Sequence, residues 1–347
     1  MIEVWCKQYI KCARLDDRWK SKSLQPAILV MNVLITGASG LLGRAVGAEF
    51  KKHSWKVLGL AYSRIRDDLV KVDLNDFEAV SKIIYQFKPH VIIHCAAERS
   101  VDKVTEDYEN SKKLNVDVSK HLAKLAGDIK AIFVFISTDY VFSGESPPYK
   151  EDDQPSPLNL YGDTKLEAEK RIAEINPDSM ILRIPVLYGD EEYIGESAIS
   201  SLIKLLLKKE PTKVSNYEIR YPSNTVDIAS IIFQLVMKKL QDHSLKGIFH
   251  WCGMESFTKY EMIKVIAEVH GLSYDHLSPD NNPSPGSKRP KNSQLSCKRL
   301  QDIGIGMHTS FTDAQQTSSL ADVVKRLTKT AWNLIIICIQ CVCIKFS

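Results

Sequence analysis

Tyr161 and Lys165 stand four residues apart, a spacing that puts both side chains on one face of a helix. A phenol titrates near 10 in water, and a neighbouring ammonium favours its charged form and draws that value down. Such a pair suits the transfer of a proton to or from a reacting oxygen. Thr138 lies upstream in Ser137-Thr138-Asp139-Tyr140-Val141-Phe142, just after an apolar run, where its hydroxyl can hydrogen-bond the same oxygen. Tyr-x-x-x-Lys alone is common on amphipathic helices. A second feature of the chain gives it weight.

That feature is Val33-Leu34-Ile35-Thr36-Gly37-Ala38-Ser39-Gly40-Leu41-Leu42-Gly43, an apolar run ending in glycines at every third position. It predicts a buried strand, a tight turn and a helix whose first backbone amides point outward, the arrangement that cradles a pyrophosphate. Gly37 makes the turn, Gly40 admits the phosphates, and Gly43 lets the helix pack close to the strand. A dinucleotide on this turn makes Lys165 a candidate for the nicotinamide ribose hydroxyls.

The end of the second strand decides which dinucleotide. An acid there would take a ribose diol, but the chain reads Ala61-Tyr62-Ser63-Arg64-Ile65-Arg66 with no carboxylate before Asp67. A hydroxyl and guanidiniums suit a 2′-phosphate, so NADP is expected over NAD. The alternative is that Arg64 and Arg66 are ordinary solvated loop charges. Asp73 in Val72-Asp73-Leu74 is placed to accept from an adenine amino group or to cap the following helix. His94-Cys95-Ala96-Ala97 supplies small residues along which a dinucleotide can lie, with Cys95 packing rather than reacting.

These residues need a scaffold, and the apolar patterning supplies one. Strands are expected at Val33–Thr36, Lys56–Ala61, before Leu74, at Val91–Cys95, Ala131–Ser137 and Met180–Pro185. Helices are expected at Leu42–Lys52, Asp76–Phe87, Tyr108–Ala126 and Tyr161–Ile175. Near-continuous apolar strands alternating with helices predict an α/β fold, a doubly wound parallel sheet of the Rossmann type. After Gly189 the rhythm changes, with helices at Ala198–Lys209, Val226–Lys238 and Lys259–His270, a short strand at Gly247–Trp251, and a Pro-, Ser- and Asn-rich loop from Ser278 to Ser293. The expected division is an extension over 1–30, an NADP-binding domain over 31–188, a smaller α/β lobe over 189–330, and an atypical tail over 331–347.

Composition excludes several classes. With 46 basic and 42 acidic residues among 347, the net charge of +4 is too balanced for a dedicated nucleic-acid binder. Eight cysteines, five scattered and three crowded near the C-terminus, are not a disulfide framework and read as reduced thiols. The expected compartment is the cytoplasm, with the nucleus as a second. The N-terminus lacks the apolar centre of a secretory signal. Leu334–Ile344 is apolar but shorter than the roughly 17–25 residues that span a membrane. Cys338, Cys341 and Cys343 have no histidine or second pair beside them, so no metal site is expected.

Taken together, these motifs resemble the extended short-chain dehydrogenase/reductase superfamily, and within it the dTDP-4-dehydrorhamnose reductases. Ser137–Phe142, Pro157–Lys165, Val101-Asp102-Lys103 and Arg289-Pro290-Lys291-Asn292-Ser293 carry that resemblance, which covers roughly 32–325. The chain also resembles an offshoot, the regulatory β subunits of methionine adenosyltransferase. The residues that do so are His94–Arg99, Leu182–Gly189, Phe249-His250-Trp251, Thr258–Met262 and Gly304-Ile305-Gly306.

The offshoot implies an NADP site and association with the catalytic subunits that make S-adenosylmethionine, whose activity it modulates. Carried over residue by residue, it places Ser39, Gly40, Leu41 and Leu42 at the phosphates and Tyr62, Ser63 and Arg64 at the 2′-phosphate. Asp73 and Leu74 fall near the adenine, Cys95 and Arg99 towards the phosphates or nicotinamide, and Tyr161, Lys165 and Leu187 at the nicotinamide end. The family's C-terminal tail enters the partner; Lys325–Asn333 resembles it loosely, and the apolar run then follows.

Two departures from the reductases point the same way. Ile184-Pro185-Val186-Leu187 replaces their Thr-Ser-Trp, and Ile219–Ser223 replaces a Gly-x-Pro-Thr turn facing the sugar nucleotide. Three readings follow: a non-catalytic regulatory subunit that keeps NADP as a structural ligand, an NADPH-dependent deoxysugar-nucleotide reductase using Thr138, Tyr161 and Lys165, or a dinucleotide-sensing scaffold with another partner.

Overall fold

A computed structural model describes residues 30–317 except 67 and 209. The expected extension before Val30, the end of the expected lobe from 318, and the tail over 331–347 lie outside the described residues.

The first half alternates as its patterning predicts. β1 (Asn32–Thr36), α1 (Leu41–Lys52), β2 (Lys56–Ala61), β3 (Leu69–Lys71), α2 (Phe77–Phe87) and β4 (Val91–His94) follow one another. α3 (Val101–Glu106) leads into a helical stretch, and β5 (Ile132–Thr138), α6 (Leu160–Ile175) and β6 (Met180–Ile184) complete the half. The Asp76 side chain caps α2 through the Ala79 amide, and Asn159 caps α6 through that of Gly162. The third strand is shorter and earlier than expected. Val72-Asp73-Leu74 lies just beyond it, where Asp73 accepts from the Asn75 amide at 2.9 Å and orders the turn into α2.

The single helix expected over Tyr108–Ala126 is three pieces: α4 (Tyr108–Lys112), a π-helical turn over Lys113–Asp117, and α5 (Val118–Asp128). Such a turn inserts a residue into the ladder and re-aims a side chain, often at a functional site. Here it is Asn115.

All sheet neighbours are parallel, in the order β3-β2-β1-β4-β5-β6-β10, where β10 is Gly247–His250. Strand order reverses between β1 and β4, the point where ligands lie in doubly wound sheets. β10 corrects an expectation: it pairs with β6 as the seventh strand rather than joining the smaller lobe. The helix expected at Val226–Lys238, α8 (Thr225–Gln241), also belongs to the sheet. Its Ile228, Ile231, Ile232 and Leu235 are buried with Val33, Ile35 and Val46 in one apolar layer. A second layer with Leu34, Val80, Ile84, Leu122 and Phe133 covers the opposite face.

The remaining elements are β7 (Leu187–Tyr188), α7 (Ser201–Lys208), β8 (Thr212–Ser215), β9 (Ser223–Asn224), α9 (Lys259–His270), β11 (Leu277–Asp280), α10 (Lys298–Asp302) and α11 (Phe311–Thr317). Around Tyr188, Ile203, Leu206, Ile263, Ile266 and Phe311 they build a third apolar cluster. Two small parallel pairs, β7 with β9 and β8 with β11, brace these elements.

Candidate dinucleotide site

The turn between β1 and α1 has the geometry its glycines require. Gly37 sits at φ 65°, and a Cβ there would meet the Ala96 backbone nitrogen at 2.8 Å. Gly40 begins α1 in extended backbone, no side chain caps the helix, and no acid stands in its first turn. The amides around Leu41 and Leu42 therefore offer an anion the positive end of the helix dipole, with no carboxylate in the first turn of the helix to compete. Ser39 donates its hydroxyl to the Ser63 carbonyl at 3.0 Å, tying this turn to the loop after β2.

That loop carries Tyr62, Ser63 and Arg64, all exposed, with Arg64 in left-handed backbone at φ 53°. Arg64 is not solvated alone. Its guanidinium reaches Glu196 at 2.5 Å, while Arg44 of α1 holds the same carboxylate by two bonds, at 2.7 and 2.8 Å. Arg66 pairs with Glu192, and Arg99 donates to the Glu196 carbonyl. Burial alone would raise the Glu196 carboxyl, yet the bonds from Arg44 and Arg64 hold it below the usual carboxylate value. Four guanidiniums thus converge on residues 192–196, at the edge where phosphates would lie. The sequence reading missed Arg44, Glu192 and Glu196. An arginine in the first turn after a glycine loop is the one local signal that pointed to them.

Leu74 is buried beside β3, and Asp73 is exposed next to it. Cys95 packs against the apolar layer, and burial pushes its thiol up to about 12, so it stays protonated and inert. Leu187 lies partly buried in β7 against the same layer. Asn115 accepts from the Glu98 amide at 2.9 Å and donates to the Glu98 carbonyl at 3.0 Å and the Thr164 hydroxyl at 3.1 Å. It fixes the segment before Arg99 to the helix bearing Tyr161 and Lys165.

Thr138 ends β5, and Gly162 lets α6 press against the next turn, since a Cβ there would lie 2.3 Å from the Tyr140 carbonyl oxygen. Thr138, Tyr140 and Tyr161 are thereby gathered, the two tyrosine rings edge to face at 6.0 Å. The expected lowering of the phenol by Lys165 does not occur. Burial pushes Tyr161 up to about 12; the Thr138 hydroxyl opposes that, and the carboxylate of Asp139 adds to it. Lys165 turns into the sheet, donating to the Ile136 carbonyl at 2.7 Å with its ammonium 3.9 Å from the Phe135 ring centre. Its own burial draws it down to about 7. A lysine so placed supports β5 and lends the phenol little charge.

Asp139 is buried between Thr138, which donates to it at 3.2 Å, and Ser293, which donates at 2.5 Å. Arg220 donates to the Pro290 carbonyl at 2.9 Å and lies over the Tyr140 ring, and Arg289 meets Asp102 at 3.2 Å. Lys259 lies near both guanidiniums, and its ammonium is lowered by burial and then by Arg289 and Arg220.

Comparison with known proteins places this geometry. The RmlD substrate binding domain family matches residues 31–328. Methionine adenosyltransferase 2 subunit beta of Bos taurus is 47% identical over 281 residues, which is 80% of this chain and 84% of that protein. The chain belongs to the methionine adenosyltransferase β-subunit family. The Xenopus tropicalis member is 48% identical over 280 residues. Among solved structures, dTDP-4-dehydrorhamnose reductase of Bacillus anthracis in complex with NADP superposes with a TM-score of 0.73 at 25% identity, over 85% of this chain and 98% of its own. Membership extends over both halves of the described structure. Among the described residues no helix is long and apolar enough to cross a membrane, and no cluster of ligating side chains could hold a metal ion.

Proposed function

We propose that this chain is a non-catalytic regulatory subunit that binds NADP and associates with a methionine adenosyltransferase catalytic subunit, modulating S-adenosylmethionine synthesis. The observation that carries this reading is the 47% identity to a β subunit across 281 residues. The site agrees with it. Lys165 donates to the Ile136 carbonyl of β5, and its position lends the Tyr161 phenol no charge, so the two do not stand as a coupled acid–base pair. The glycine turn and uncapped α1 fit a dinucleotide diphosphate, with Ser39 to Leu42 at the phosphates and Tyr62, Ser63 and Arg64 at the 2′-phosphate. A ligand that binds only the folded chain stabilises it by mass action, which gives a reason for the site without turnover.

The test is co-elution of the purified chain with a methionine adenosyltransferase catalytic subunit, together with the partner's kinetics with and without it. Absence of both effects overturns the regulatory reading. The reductase reading has its own observation in the grouping of Arg220, Lys259 and Arg289, basic side chains of the kind that bind a nucleotide diphosphate. It requires NADPH oxidation with a deoxysugar nucleotide that Tyr161→Phe abolishes. The regulatory reading expects no such oxidation, and expects Tyr161→Phe to leave partner binding unchanged.

Arg64→Ala tests the cofactor. A charge-assisted bond is worth about 1.5–3 kcal/mol, and partial exposure puts Arg64 at the lower end. The expected result is NADP binding weakened about tenfold, with NAD binding little changed, by calorimetry. Equal losses for the two dinucleotides would remove Arg64 from the 2′-phosphate.

A further inference from the structure

Cys252 and Cys297 are 45 residues apart in the chain, yet their sulfurs lie 3.7 Å from one another. The fold brings them together through backbone that is itself tied down. β10 leads into Cys252, which is buried in one apolar cluster with Val141, Phe142 and Leu295, and Cys297 packs against that cluster. The strand-like segment before α10 runs past Tyr149, donating the Ser296 amide to its carbonyl at 2.7 Å and accepting the Tyr149 amide at the Gln294 carbonyl at 2.8 Å. Cys252 donates its own amide to the Cys297 sulfur at 3.3 Å and its thiol to the Leu295 carbonyl at 3.3 Å. Neither cysteine is in a disulfide.

We propose that Cys252 and Cys297 form a two-electron oxidation site, in which a hydroperoxide converts the facing thiols to a disulfide, Cys297 attacking and Cys252 resolving. The roles follow from exposure, because Cys297 is partly open to solvent and Cys252 is buried at 5% exposure. They also follow from hydrogen bonding. Beside an ionised Cys297 the Cys252 thiol can turn from the Leu295 carbonyl to the facing sulfur 3.7 Å away, and with the Cys252 amide it holds the Cys297 thiol below the ordinary value, while the same contact and burial push Cys252 strongly up. The thiolate is the nucleophile of such reactions, and Cys297 is the one favoured to be it.

The chemistry balances in two steps. The Cys297 thiolate takes the distal peroxide oxygen, breaking the O–O bond, and an alcohol or water leaves with the proton, giving a sulfenic acid. Cys252 sulfur then attacks the Cys297 sulfur and displaces water, its thiol proton leaving with the hydroxyl. Two thiols and one hydroperoxide become one disulfide, one alcohol and one water. The sulfurs must close from 3.7 Å to the bonded distance of about 2.05 Å, a movement of side chains already in contact. The cross-link would tie the end of β10 to the segment bearing Ser293, the residue that holds Asp139 beside Thr138.

The experiment uses the full chain, treated with hydrogen peroxide, alkylated with iodoacetamide and digested with trypsin. The expected product is peptide 247–259 joined to peptide 292–298, lighter than their sum by two hydrogens and lost after dithiothreitol. In Cys252→Ser, and in Cys252→Ala as a check on folding, Cys297 is expected to stop at the sulfenic acid and take up dimedone. In Cys297→Ser, Cys252 is expected to remain a free thiol. Oxidised wild type is expected to melt higher than the reduced form, a shift absent from both single variants. Recovery of both cysteines alkylated after peroxide treatment, or Cys297 joined to a cysteine outside 247–259, overturns the proposal. So does a dimedone adduct on Cys252 in Cys297→Ser.

Discussion

Glu169→Ala is expected to cost about 3–5 kcal/mol of folding stability, a large part of what a domain of this kind possesses. Glu169 on α6 and Arg183 on β6 are each almost wholly buried, at 3% and 1% exposure. The carboxylate takes three bonds from the guanidinium, two from Nε at 3.0 and 3.2 Å and one from Nη2 at 2.6 Å, and a fourth from the Ser137 hydroxyl at 2.5 Å. Arg183 also faces His250, whose imidazole is drawn down to about 3 by burial and by that guanidinium and so stays neutral. Alanine at 169 would leave Arg183 charged, desolvated and facing a neutral ring. The cost is that of a stranded cation rather than the worth of the pair.

The control makes this specific. Glu169→Leu combined with Arg183→Met removes both charges and fills the space with apolar volume, and such replacements are often neutral or better. The double variant is expected to recover most of the loss in urea unfolding. If Glu169→Ala costs under about 1 kcal/mol, or the double variant is no better than the single, the buried pair does not govern β6 as argued. Because Ser137 precedes Thr138, the same substitution should also loosen the floor of the candidate site.

How much of this was legible beforehand depends on the range of each interaction. β1, α1 and β2 were readable because glycine spacing and apolar runs are local, and the fold class followed from their alternation with helices. β10 was assigned to the wrong half. Four residues carry no mark of which strand they will pair with, and Gly247–His250 finds β6 some sixty-seven residues away. The π-helical turn at Lys113–Asp117 was hidden because its composition is that of any helix. The Arg64–Glu196 contact spans 132 residues, so neither partner announces the other. Lys165 shows the same limit at a single side chain. Its spacing from Tyr161 was correct, but the pull of the Ile136 carbonyl and Phe135 ring, set by sheet packing, decides where its ammonium goes.

Gly43→Ala and Gly47→Ala put one methyl group on the same helix four residues apart, and they are expected to act in opposite directions. At Gly43 a Cβ would lie 2.2 Å from the Gly37 carbonyl oxygen and 2.8 Å from the Ala38 Cα, both rigid backbone. α1 can accept it only by backing away from β1, which spreads the turn proposed above to hold the phosphates. Overpacking of this kind costs about 1–3 kcal/mol. A comparable loss from the pyrophosphate contacts weakens NADP binding by roughly ten- to a hundredfold. At Gly47 the nearest atom is the Ile35 Cδ1 at 3.9 Å, an ordinary contact. Alanine there gains helix propensity of up to about 1 kcal/mol without touching the turn. It should raise the unfolding midpoint and leave the NADP affinity where it was. Calorimetry on both variants separates the cradle from the helix that carries it. Unchanged NADP affinity in a folded Gly43→Ala would mean that the close approach of α1 to β1 does not position the dinucleotide.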